Sequence, residues 1–73
     1  MTFEDTWKEF KIMRNKIKKP MTKYAEYLIM EKIDRISRND EEKIAILEQS
    51  IMYAWQGIYP LTNGNKIGGF KTL

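Results

Sequence analysis

The sequence contains no cysteine and no histidine. Their joint absence removes disulfide staples, zinc sites of the Cys/His type, thiol nucleophiles and imidazole general bases. Ser37 and Ser50 have no imidazole to activate them, and the acids spread over helix starts and outer faces, so the chain reads as a non-enzyme without a cofactor. Nor is there any run approaching the roughly 20 apolar residues of a membrane span. The opening TFEDTWKEF is acidic and aromatic, where a secretory signal would be basic and then apolar. A soluble protein of a reducing cytoplasm is the expectation. Glycine and proline are scarce too, at four and two residues, and they gather at the breaks discussed below. With 73 residues there is room for one domain only, and a chain of this size buries about 60% of its unfolded surface.

What the sequence does have is helical periodicity. Its fullest stretch is NDEEKIAILEQSIMYAWQGIYP, Asn39 to Pro60. Asn39 can cap the first turn, Asp40, Glu41 and Glu42 complement the positive end of the helix dipole, and Glu42 completes an N-x-x-E capping box. Consecutive acids there are capping charge before they are metal ligands. Ile44, Leu47, Ile51, Ala54 and Trp55 recur at steps of three and four, and Glu41, Glu48 and Gln49 turn away. Ile46, Ser50, Tyr53 and Gln56 form a second line, which predicts a helix lodged between two others. Gly57 and Pro60 are its expected stop.

Upstream, Thr2 with Glu4 and Asp5 marks another start, and Phe3, Trp7, Phe10, Met13 and Ile17 an apolar face. Pro20 breaks this helix and Thr22 caps the next, expected over Lys23 to Ser37 with Ala25, Leu28, Ile29, Ile33 and Ile36 inward. Glu31 with Arg35 and Asp34 with Arg38 are acid-first pairs at i, i+4 on its outer side. The short connection through Asn39 favours an up-down-up arrangement. The fold class is therefore all-α: a small three-helix bundle over residues 1–60 and a flexible, irregular tail over 61–73, with Ile67 and Phe70 as possible anchors. Gly68-Gly69 lacks the spacing of a phosphate loop.

Charge is uneven. The net +3 is modest, yet Lys8, Lys11, Arg14, Lys16, Lys18, Lys19 and Lys23 accompany a single acid, Glu9. Lys8, Lys11 and Lys18 align along one side of the first helix, with Arg14 and Lys19 beside them, in a stripe that either solubilises an outer face or meets phosphates. Tyr53, Trp55 and Tyr59 gather at the end of the third helix, where flat faces with one polar group suit base stacking as well as core packing. The phase of Trp55 with Leu47 and Ile51 points it inward, which leaves Tyr53 or Tyr59 as the exposed aromatic.

LEQSIMYAWQGIYP, Leu47 to Pro60, resembles the C-terminal module of DnaD-like replisome-organiser and replication initiation proteins of phages. That family carries a Tyr-x-x-x-Ile-x-x-x-Trp motif; Ile51 and Trp55 match its second and third positions, and Leu47 stands where the family has Tyr. The winged-helix part of an initiator is missing, which implies either an excised module or a stand-alone relative. The resemblance implies a phage protein in the cytoplasm of a bacterial host, binding DNA, single-stranded above all, or a host or phage replication protein. The competing expectation is a small phage adaptor or inhibitor that binds a host protein through an apolar helix face, and apolar residues on more than one stripe also allow a homodimer.

Overall fold

The structure, a computed structural model, describes residues 1–61. The tail from 62 onward, with Ile67, Gly68, Gly69 and Phe70, lies outside the described residues. Three helices follow one another: α1 (Phe3–Lys16), α2 (Lys23–Ile36) and α3 (Asp40–Tyr53), with no strand among the described residues. Each begins where a short polar side chain satisfies a free amide. Thr2 accepts from Asp5 N at 3.1 Å and Asp5 accepts from Thr2 N at 3.3 Å, a reciprocal capping box. Thr22 accepts from Ala25 N at 3.0 Å, and Asn39 from Glu42 N at 2.8 Å. Glu42 itself reaches one residue further back than a capping box requires, accepting from the amide and guanidinium of Arg38.

α1 and α3 run parallel. At their starts Lys43 lies over the Phe3 ring, 5.6 Å from its centroid, and at their ends Arg14 of α1 reaches Gln56 just beyond α3. α3 packs broadly on α1 and more briefly on α2, while α1 and α2 make no direct backbone approach. Residues 54–61 leave α3 and fold back over it as a strap, bonded to α1 through Arg14 and meeting Lys32 of α2 at Tyr59. Each element supplies the core: Phe10 from α1, Ile33 from α2, Ile46 and Leu47 from α3, and Ile58 from the strap, all at most 1% exposed.

Several expectations change here. α3 ends at Tyr53, about one turn before Gly57, because Ala54 adopts the left-handed conformation (φ 58°, ψ 39°). The amide of Trp55 then donates to Ser50 O at 2.9 Å and that of Ala54 to Ile51 O at 3.2 Å, satisfying carbonyls of the last turn. Ala54, Trp55 and Gln56 thus lie on the strap and not on the helix stripes. Gln49, expected to face solvent, is buried, and its amide donates to Tyr59 O at 3.2 Å. On α2, Leu28 lies on the outer side, opposite Ile33. The ion pairs are not the Glu31–Arg35 and Asp34–Arg38 pairs expected on α2. Asp34 pairs with Lys43 at 2.9 Å, Arg38 with Glu42 at 2.8 Å, and Glu31 accepts from the Tyr27 hydroxyl at 2.8 Å.

Candidate nucleic-acid interface

The two helix exits are built alike and sit side by side. α1 also ends on a left-handed non-glycine residue, Lys18 (φ 62°), with Lys18 N donating to Asn15 O and Lys19 N to Arg14 O, both at 2.9 Å. The fork of Arg14 joins this exit to the other: Nε donates to Lys19 O and Nη1 to Gln56 O, each at 2.7 Å. Arg14 is only 9% exposed. Of the residues expected to meet phosphates, it alone is buried and committed to carbonyls. The signal was in the sequence, since Arg14 follows Trp7 and Phe10 at intervals of seven and four and so lies in phase with the inner face of α1. Lys8, Lys18 and Lys19 are exposed and Lys11 is half-buried.

The strap is held by its backbone. Gln56 O accepts from Arg14, Gly57 O from the Ser50 hydroxyl at 2.8 Å, and Tyr59 O from Gln49. All three donors are buried side chains, so each replaces its hydration with a specific bond. Between them Ile58 inserts into the core. None of these roles was anticipated from sequence for Ile58, Gln49 or Ser50, although Ser50 lies three residues beyond Leu47 and four beyond Ile46. Gly57 lies on the strap and not at the helix stop; a Cβ there would come within 3.3 Å of the Tyr59 hydroxyl, a contact that a small shift of the half-exposed Tyr59 ring relieves.

On this frame the three expected aromatics come together. Tyr53 stacks on Trp55 with centroids 5.1 Å apart and planes at 25°, and Trp55 meets Tyr59 edge-on at 5.4 Å and 86°. Lys32 of α2 caps the far side, its ammonium 4.9 Å from the Tyr59 centroid, within cation–π range. Trp55 is half-buried between its neighbours, and Tyr53 and Tyr59 remain 46% and 49% exposed. The inward reading of Trp55 and the exposed reading of the tyrosines meet in one cluster, formed by the last residue of α3 and two residues of the strap. Because Arg14 spans from Lys19 O to Gln56 O, the basic end of α1 adjoins this cluster.

Among the described residues no group of three or more acids, histidines or cysteines could hold a metal ion, and no helix is long and apolar enough to cross a membrane.

A family model described as the YdaU C-terminal domain matches residues 2–71, nearly the whole chain, and the chain belongs to that family. YdaU-type proteins are phage-associated. No curated protein and no solved structure matches the chain.

Proposed function

We propose, from membership of a phage-associated domain family, that this chain is a non-enzymatic replication-associated module that holds single-stranded DNA across its two helix exits. Lys8, Lys11, Lys18 and Lys19 meet phosphates, and a base laid on the open face of Tyr53 extends the Tyr53–Trp55 stack by one ring, with Tyr59 as the edge wall. The observation that carries this reading is the adjacency of a basic helix end and a partly exposed aromatic cluster, joined through one buried arginine. A single strand needs both features, since cations alone track the backbone and aromatic faces receive unpaired bases. The similarity of Leu47–Pro60 to DnaD-like organisers supports a place in replication.

Fluorescence anisotropy of a short labelled oligothymidylate, titrated with the protein at several salt concentrations, tests the proposal. Replacing Lys11, Lys18 and Lys19 by Gln is expected to weaken binding and to flatten its salt dependence by about 0.7 per lost contact. Equal affinity at every salt concentration sinks the assignment.

One observation favours a second reading, an adaptor that binds a host protein. The outer side of α2 presents Tyr24 and Tyr27, stacked with centroids 6.2 Å apart, and Leu28, all well exposed. Such an apolar group on a helix is what a helix-in-groove contact uses. If Leu28→Glu abolishes a partner's binding while the lysine variants leave it intact, the adaptor reading replaces the DNA reading.

A further inference from the structure

The stripe of cations that the sequence offers for phosphate includes one member that the fold has used otherwise. We infer that Arg14 is a positioning residue for the aromatic platform and not a phosphate ligand: it locks the exit of α1 to the strap and thereby sets the place and orientation of Trp55 and Tyr59 beside Lys18 and Lys19. This inference rests on the DNA-binding reading for its ligand, but its geometric part stands apart from it.

Four observations converge. Arg14 lies in phase with the apolar face of α1 and is buried. Its fork makes two short bonds, both at 2.7 Å and each to a carbonyl three residues past the end of a helix, in backbone outside any helical ladder. Its Gln56 bond falls between Trp55 and the Ser50-held Gly57, so it fixes the strap on the aromatic side. The negative ends of α1 and α3 lie together here, and a buried guanidinium is the group that their partial charges favour. A cation already committed in this way has little to offer a phosphate. It does keep two segments 42 residues apart in sequence as one surface.

Arg14→Lys separates the alternatives because it keeps the charge and loses the planar fork. A phosphate ligand survives this change, since lysine binds phosphate as a point charge; a bridge between two carbonyls does not. Ser50→Ala loosens the same strap without touching any charge, by removing the hydroxyl that holds Gly57 O. Both variants belong in the full chain with Trp7→Phe, so that Trp55 is the sole tryptophan, and far-ultraviolet circular dichroism reports the helices.

With helices retained, both variants are expected to expose Trp55 to iodide and shift its emission to the red, and to weaken oligothymidylate binding about fivefold to tenfold through loss of a pre-formed stack. Wild-type affinity and an unchanged Trp55 signal in Arg14→Lys overturn the inference. Should Arg14→Lys fail to fold, the Nε–H resonance of Arg14 in the parent chain decides it: slow solvent exchange that oligothymidylate leaves unchanged supports the bridge, and fast exchange or a large shift on adding oligothymidylate overturns it. If the parent chain binds no oligothymidylate, the DNA reading falls, and the iodide quenching of Trp55 alone supports or overturns the positioning role.

Discussion

The two flanks of α3 are held in different ways. On one side α1 and the strap are fixed by buried aromatic and aliphatic side chains and by Arg14, Gln49 and Ser50 donating to strap carbonyls. On the other, α2 contributes one fully buried residue, Ile33, packs Ile29, Met30 and Ile36 partly buried against the core, and is further tied at the surface by Asp34–Lys43 and by Lys32 over Tyr59. Exposed ion pairs contribute about 0–1 kcal/mol, whereas directional bonds made by buried donors are costly to leave unmade. The difference separates a rigid half, suited to presenting a pre-formed surface, from a lightly attached helix with apolar residues to spare.

The strongest way to break the comparison is to truncate each flank. Phe10→Ala and Leu47→Ala are expected to cost about 3–5 and 2–5 kcal/mol, comparable to the whole stability of a small domain. Leu28→Ala, on the outer side of α2, should stay within about 0.5 kcal/mol. Urea midpoints read both. Equal losses would mean that the outer side of α2, Leu28 included, is buried. Ile51 is only partly buried, so its truncation should fall below that of Leu47.

Next in size is the strap. Ile58→Ala is expected to lower stability by about 2–4 kcal/mol, as for a core helix residue. A small change in the midpoint would show that the strap is not part of the cooperative unit. A gain is expected from Ala54→Gly, because an alanine in the left-handed region carries a steric cost that glycine avoids. Stability should rise by about 1 kcal/mol and the midpoint with it, and a fall would place the helix end elsewhere.

The smallest effects are electrostatic and distinguish the flanks by pH. Hydrogen bonds from the Thr2 amide and hydroxyl hold the Asp5 carboxyl below its ordinary value. The stability it confers is therefore present above the ordinary carboxylate pKa and lost as pH falls through the depressed one, below about pH 4. The hydrogen bond to Asp34 holds Lys43 above its ordinary value, so that tie is present below the ordinary lysine pKa and lost as pH rises past about 10.5. Asp5→Asn should flatten the acid limb of a melting-temperature profile, and Lys43→Met the alkaline limb. If each variant altered the opposite limb, the assignment of α1 to acid and α2 to alkali would be reversed.

Much of this architecture was legible in the order of residues. Thr2, Thr22 and Asn39 announced all three helix starts, because a cap is a local interaction that needs only its next turn. The end of α3 was not legible. Gly57 is the better left-handed residue by local preference, yet the chain turns at Ala54, where Ile58 gains the core and buried donors meet three carbonyls. Those gains are tertiary and outweigh a local cost of about 1 kcal/mol. Leu28 misled for the converse reason: α2 touches little beyond α3 and the strap, so its buried arc is narrow and apolarity overstates it. Of the candidate site, the aromatic trio was visible as a set, but its stacking order belongs to the strap's path. Arg14 shared its charge with the lysines and its phase with Phe10, and the phase was the better guide.

The strap is held through carbonyls, which every amino acid supplies, and Ile58 and Leu61 are the strap side chains that pack on the core. Positions 53, 55, 56 and 59 can therefore be exchanged while the track beneath them stays put, much as variable loops change specificity on an invariant framework. A library randomised at those positions, selected first for folding and then for ligand, would sample new recognition chemistries without redesigning the domain.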